Sequence, residues 1–279
     1  NSFTSPRTFF FSFFIFTMRP TWIRKFVEYV PKNASSLTGT ARFRATEIAA
    51  ERADEDVVKQ GFYFLPKLKF PAVEGGVSPV LSARQFSYMY NVVHRDIVEQ
   101  LNRHTIGSEF EGHTLEAVIR ASAFDATKNA VHTPACEHFN YCFFYHSLRP
   151  WGTPMPADLR EAIQLQYGSG ESAEKRIQSL FLRAASTLQS RSGWVYLVWV
   201  DSGKLDVVPF EQGTTPLASD VTPLLCMSVN ESTYGLDYSL ATAEGGLEPY
   251  TKNFFKGCNW LLVAKYYGEA TGRPIEPTL

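Results

Sequence analysis

Two serines four residues apart, Ser228 and Ser232, and two acids, Glu137 and Glu231, are the residues whose types first suggest chemistry. A serine nucleophile needs a base within hydrogen-bond reach and a third group to orient that base. No spacing around either serine supplies them, so hydrogen-bonded core filling is expected. Burying Glu137 beside Glu231 would require shared protons or cationic partners, and catalysis by that pair is not expected. Six histidines occur. His132, His138 and His146 fall on or beside one aromatic-rich helix at spacings of six and eight, without the i, i+4 histidine pair of a helical metal site. Each reads as an isolated surface imidazole. His104 and His113 fall in a connection and are expected to be exposed. Cys136, Cys142, Cys226 and Cys258 show neither CxxC nor zinc spacing, which fits buried thiols in a reducing compartment. The loop Gly168-Ser-Gly-Glu-Ser172 lacks the preceding strand that a phosphate-binding fingerprint requires.

The elements that must position these residues follow from periodicity. After Ser82, a plausible N-cap, Phe86, Met89 or Tyr90, Val93, Ile97 and Leu101 recur at helical spacing. A second helix is expected over Phe110–Ala121, with Thr114 as a cap, and a third over Ala135–Leu148. Pro150–Pro156 reads as a linker. Helices are expected over Asp158–Tyr167, Ala173–Ser190 and Tyr250–Tyr267, the last capped by Gly268. Trp194–Val200, Leu205–Phe210 and Leu224–Val229 read as strands, with Asp201-Ser-Gly203 turning between the first two. The pattern is all-α in its N-terminal half and α+β in its C-terminal half.

Hydrophobic content of 44% and aromatic content of 14% describe a globular chain, and a net charge of −1 does not advertise nucleic-acid binding. The charge is uneven. Arg7, Arg19, Arg24, Lys25, Lys32, Arg42 and Arg44 face only Glu28 within the first 46 residues, which suggests a basic arm on a neutral domain. The apolar run Phe9–Met18 is too short to span a membrane. Met18-Arg-Pro-Thr-Trp-Ile-Arg-Lys25 looks like a mitochondrial targeting segment. The interleaved Phe, Trp and Tyr residues of the arm suit protein contact first and RNA second. A short charged helix is expected over Glu47–Gln60.

Pro223-Leu-Leu-Cys-Met-Ser-Val-Asn-Glu-Ser-Thr-Tyr234 resembles the metal-binding segment of iron and manganese superoxide dismutases, Pro-Leu-Leu followed by Asp-x-Trp-Glu-His-Ala-Tyr. Ser192-Gly193-Trp194, Gly203-Lys204-Leu205, Thr215-Pro216-Leu217, Leu81-Ser82-Ala83, Glu111-Gly112, Asn140-Tyr-Cys-Phe-Phe-Tyr145 and Asn259-Trp260 extend the likeness, in order, over roughly residues 60 to 268. The family implies an α+β fold: an N-terminal helical hairpin, then an α/β domain with a three-stranded antiparallel sheet, here behind an N-terminal extension. The expected divisions are 1–60, 61–150 and 151–279.

Carried over by position, the family's four metal ligands fall on Met89, Tyr141, Ser228 and Ser232. A thioether, a phenol and two hydroxyls replace the imidazoles and carboxylate that iron or manganese requires. The family's active-site Tyr falls on Ile97, its Gln on Glu137 and its Asp-x-Trp aromatic on Asn230, while His94 matches a structural histidine. Glu231, Val93 and Gly235 take the dimer-interface positions, and a partner of different sequence could satisfy Glu231 where an identical one would offer Ser232. The resemblance thus implies no metal cofactor and no enzyme. It implies instead a scaffold of the kind found in the small subunit of mitochondrial ribosomes, including those of kinetoplastids. Such a chain would sit in the mitochondrial matrix beside other ribosomal proteins, paired with a second dismutase-like protein, with possible rRNA contact through the arm. An accessory subunit of a respiratory complex is the alternative, with an active dismutase behind it.

Overall fold

A computed structural model describes residues 62–188, 192–200, 202–219, 221–241 and 245–272. The basic arm, with Arg7, Arg19, Arg24, Lys25, Lys32, Arg42 and Arg44, and the expected helix Glu47–Gln60 lie outside the described residues.

A short helix α1 (Ala72–Gly75) precedes the first long rod. Ser82 starts that rod as its sequence position anticipates, its hydroxyl accepting from the Gln85 amide at 3.1 Å. The rod runs through α2 (Ala83–Tyr88), a π-helical stretch (Met89–His94) and α3 (Arg95–Thr105). The π stretch departs from the simple helical spacing. Its i→i+5 closure places residues five apart on one side, and Met89 and His94 are both buried. Thr114 caps α4 (Leu115–Ser122) through the Ala117 amide.

The third expected helix is longer than its sequence suggests, since α5 spans Asn129–Ser147 and passes through Pro134. Proline removes one backbone donor, but Val131, Pro134, Ala135 and Cys136 are all buried in that segment, and their packing outweighs the local penalty.

Helices α6 (Ala157–Tyr167) and α7 (Ala173–Ala185) lead into the sheet, with Ser172 capping the latter. Strands β1 (Gly193–Val200), β2 (Lys204–Glu211) and β3 (Thr222–Ser228) form a three-stranded antiparallel sheet in the order β2-β1-β3. The register sets Trp194 opposite Ser228. Directly opposed residues share a sheet face, so Ser228 and Trp194 point the same way.

A one-turn helix α8 (Glu231–Tyr234) follows β3. The single closing helix anticipated over Tyr250–Tyr267 is instead two, α9 (Leu247–Lys256) and α10 (Trp260–Thr271). Gly257 breaks them because the chain there runs against Val80: a Cβ would lie 2.2 Å from Val80 Cγ2. The break is stitched to the end of α5, where Gly257 O accepts from Arg149 N and Asn259 N donates to Ser147 O, each at 2.9 Å. Gly268 lies inside α10, and Gly272, at φ 68°, is the left-handed cap.

Buried residues of the helical rods and of the sheet form one cluster. Phe144 of α5 stacks on Phe254 of α9 at 6.2 Å, and Tyr141 of α5 meets Trp194 of β1 edge-on at 4.8 Å. The architecture is the α+β arrangement that the resemblance implies, and among the described residues no helix is long and apolar enough to cross a membrane.

Candidate functional site

Met89 lies on the π stretch after α2, Tyr141 on α5, Ser228 at the end of β3 and Ser232 on α8. Met89, Tyr141 and Ser228 are buried and Ser232 is half-buried. Tyr141 fills the space: its ring stacks on His94 at 4.9 Å and meets Trp194 edge-on. Burial drives its phenol strongly toward the neutral form, with partial relief from the Ser232 and Thr233 hydroxyls. Ser228 Oγ exchanges a hydrogen bond with Thr233 Oγ1 at 2.8 Å and accepts from Asn230 Nδ2 at 3.1 Å. Asn230 Oδ1 in turn accepts from Ser192 Oγ at 2.5 Å. These hydroxyls satisfy one another, as expected of core filling. No imidazole or carboxylate belongs to the set, so iron or manganese does not fit these four positions, and no redox step is derived there.

Glu137 closes one wall. Its carboxylate accepts from Trp194 Nε1 at 3.0 Å and from the Gly213 amide at 2.7 Å. Burial raises its pKa, and those two donors, with Asn140, oppose the rise. Glu231, in contrast, is exposed, so the two acids do not form a buried pair. Val93 and Gly235 are half-buried. Helix α8 and the turn after it are pinned to the start of α2 through Gln85 and Asp237, which the sequence did not mark. Gln85 Nε2 donates to Ser232 O and Gln85 Oε1 accepts from Leu236 N, each at 2.8 Å. The Asp237 carboxylate accepts from both Ser82 N and Ser82 Oγ at 2.6 Å.

A second group of donors adjoins Tyr141. His94, His138 and Cys142 are all buried, and one ligand-type atom from each lies within 4.8 Å of the others. His94 Nε2 and His138 Nδ1 are 2.8 Å apart, Cys142 Sγ lies 3.8 Å from His138 Nδ1, and the Tyr145 hydroxyl is 3.0 Å from His94 Nδ1. Desolvation, reinforced by His138, holds His94 far below the ordinary histidine range, and desolvation alone lowers His138 to about 4. Both imidazoles are therefore neutral near pH 7, and burial keeps the Cys142 thiol protonated.

His138 is thus not the isolated surface residue that its spacing from other histidines implies. His132 is not one either, since it is half-buried between Ser122 Oγ at 2.9 Å and Cys136 Sγ at 3.3 Å. The available signal was a histidine four residues before a cysteine, His138 and Cys142, which helical periodicity sets on one face. His104 and His113 are exposed, as expected, and all four cysteines are buried and free.

Residues 155–266 match the family described as iron/manganese superoxide dismutases, C-terminal domain. Over 202 residues the chain is 33% identical to the iron superoxide dismutases of Salmonella typhimurium and Escherichia coli strain K12, covering 72% of this chain and 96% of each relative. It is 30% identical over 210 residues to that of Synechococcus elongatus, covering 75% of this chain and 98% of the relative. These relatives and the His94–His138–Cys142 group correct the expectation that the chain is no enzyme. That expectation treated loss of donors at four positions as loss of every donor set. No spacing rule connects His94 to His138 across 44 residues of chain.

Proposed function

Because this chain belongs to the iron/manganese superoxide dismutase family, we propose that it serves as an architectural component of the small subunit of the mitochondrial ribosome, located in the matrix. In this reading the dismutase fold presents a protein-binding face, paired with a second dismutase-like chain, and the basic N-terminal segment contacts neighbouring proteins or rRNA. The observation that carries it is an apolar surface beside the dimer-interface positions. Tyr88, Val92, Leu236 and Leu240 are 41%, 55%, 50% and 76% exposed, on α2, the π stretch and the segment after α8, and α8 packs against both α2 and the π stretch. Exposed aromatic and aliphatic side chains on packed neighbouring elements suit burial against a partner. A partner of different sequence would also give Glu231 an opposite number that Ser232 of an identical chain cannot provide.

A second reading is favoured by the buried donors: superoxide chemistry at a metal held by His94, His138 and Cys142. The iron dismutases among the relatives support it. One experiment separates the two. The endogenous protein is sedimented through a gradient of mitochondrial lysate, and the purified chain is assayed for metal content and dismutase activity. Co-migration with the small ribosomal subunit is expected. Migration as a free dimer would overturn the architectural role, and stoichiometric metal with dismutase activity in that dimer would establish the second reading.

A further inference from the structure

We propose that His94, His138 and Cys142 form a three-coordinate site for copper(I), displaced from the family metal position. Three features of the fold converge on it. Helix α5 sets His138 and Cys142 one turn apart on a single face. The π stretch turns His94 toward them, and the three donor atoms already lie within 4.8 Å of one another. Donors bound at ordinary metal–nitrogen and metal–sulfur lengths around one ion stand about 3.5 Å apart. The present separations, 2.8 Å between the imidazoles and 3.8 Å from His138 to the sulfur, bracket that spacing. At 2.8 Å the two rings are joined by one N–H···N bond. On binding, that proton moves to the outer nitrogen of its own ring, and the ion takes its place after a small opening of the pair. His94 then donates Nδ1–H to the Tyr145 oxygen, 3.0 Å away, leaving the Nε2 lone pair for the metal. A partner on the far nitrogen of a ligating imidazole fixes its tautomer and ring orientation.

The charge balance selects the ion. Binding transfers the Cys142 proton to solvent and forms one copper–sulfur bond. Copper(I), one thiolate and two neutral imidazoles then sum to zero. A divalent ion would leave a net positive charge in a pocket whose donors include no carboxylate, and burial of unpaired charge is costly. Thiolate with imidazole is also the donor set that favours copper(I) over iron or manganese. Tyr63 lies edge-on to His138 at 6.2 Å. Its backbone is tied to the Asn102 side chain by bonds of 2.8 and 2.9 Å, so this segment covers the site. The inference does not depend on ribosomal assembly or on turnover of superoxide.

The test is an anaerobic titration of the reduced full-length chain with copper(I) against a chromophoric chelator, with zinc(II) in parallel and X-ray absorption on the copper-loaded protein. One equivalent of copper should be retained, with a spectrum of one sulfur and two nitrogen donors. Cys142→Ser should lose it, while Cys258→Ser, at a buried thiol outside the cluster, should keep it. Tyr145→Phe, which removes no donor, should weaken binding about 10–100-fold, which covers the case where Cys142→Ser misfolds. Two or more sulfur donors, equal retention by Cys142→Ser and wild type, or preference for zinc over copper would each overturn the proposal.

Discussion

The family metal position and the His94–His138–Cys142 group share a wall, the stacked rings of Tyr141 and His94, yet they are built to opposite ends. At the first, Tyr141, Ser228, Thr233 and Asn230 use their polar atoms on one another. At the second, neutral imidazoles and a thiol are linked in a chain from the Tyr145 hydroxyl through His94 and His138 to Cys142. Both are buried and polar. What separates them is the donor chemistry, hydroxyls and an amide at the first and imidazoles and a thiol at the second. Side by side in one core, only the second group carries metal-type donors.

The difference can be broken most forcefully at Tyr141. Tyr141→Ala removes the ring wedged between His94 and Trp194 and should cost about 3–5 kcal/mol in denaturant unfolding. A loss below about 1 kcal/mol would mean that the family position is not a packed core.

Lowering pH probes the second region of the metal-free protein. The folded-state pKa values of His94 and His138 lie below the ordinary 6.5. Their contribution is therefore intact above that value and is lost as pH falls through about 4, where His138 takes up its proton. Stability should fall by about 3 kcal/mol or more over that window, and His138→Gln should flatten the slope. An unchanged slope would place the acid sensitivity elsewhere.

Ser228→Ala should cost about 1 kcal/mol by leaving the Thr233 and Asn230 side chains short of a partner, with no change in metal content. The smallest effect is expected at Glu137, whose raised pKa has the opposite sense. Its contribution is complete below the ordinary carboxylate range and diminishes as pH rises through the raised folded value. Glu137→Gln, which still accepts from Trp194 and Gly213, should raise stability at pH 8 by up to about 1 kcal/mol and change it less at pH 5. Thermal melts at the two values would read the reversal.

Much of the frame was legible in the sequence because it is set locally. Ser82 and Thr114 were identifiable as caps from the hydrophobic spacing that follows them, and the strands lie within two residues of their expected ends. What escaped depends on contacts distant in sequence. The passage of α5 through Pro134 is decided by burial on both sides of it, and the break at Gly257 by the approach of Val80. The resemblance assigned ligand positions from three segments, Ser228 and Ser232 within Pro223–Tyr234, Met89 after Leu81-Ser82-Ala83 and Tyr141 within Asn140–Tyr145. The donors beside them were not readable, because His94 comes from another helix and His138 was weighed against other histidines and not against Cys142.

The π stretch Met89–His94 has a further consequence for how this centre could change. One extra residue in a helical turn offsets everything beyond it by about 100°. The rod is thus two α-helical segments out of phase, joined where both Met89 and His94 face inward. Point substitution can exchange the side chain at either position. Turning His94 away from the interior while keeping Met89 in place requires a change of chain length, so the choice between the two centres is written partly in the helix's phase.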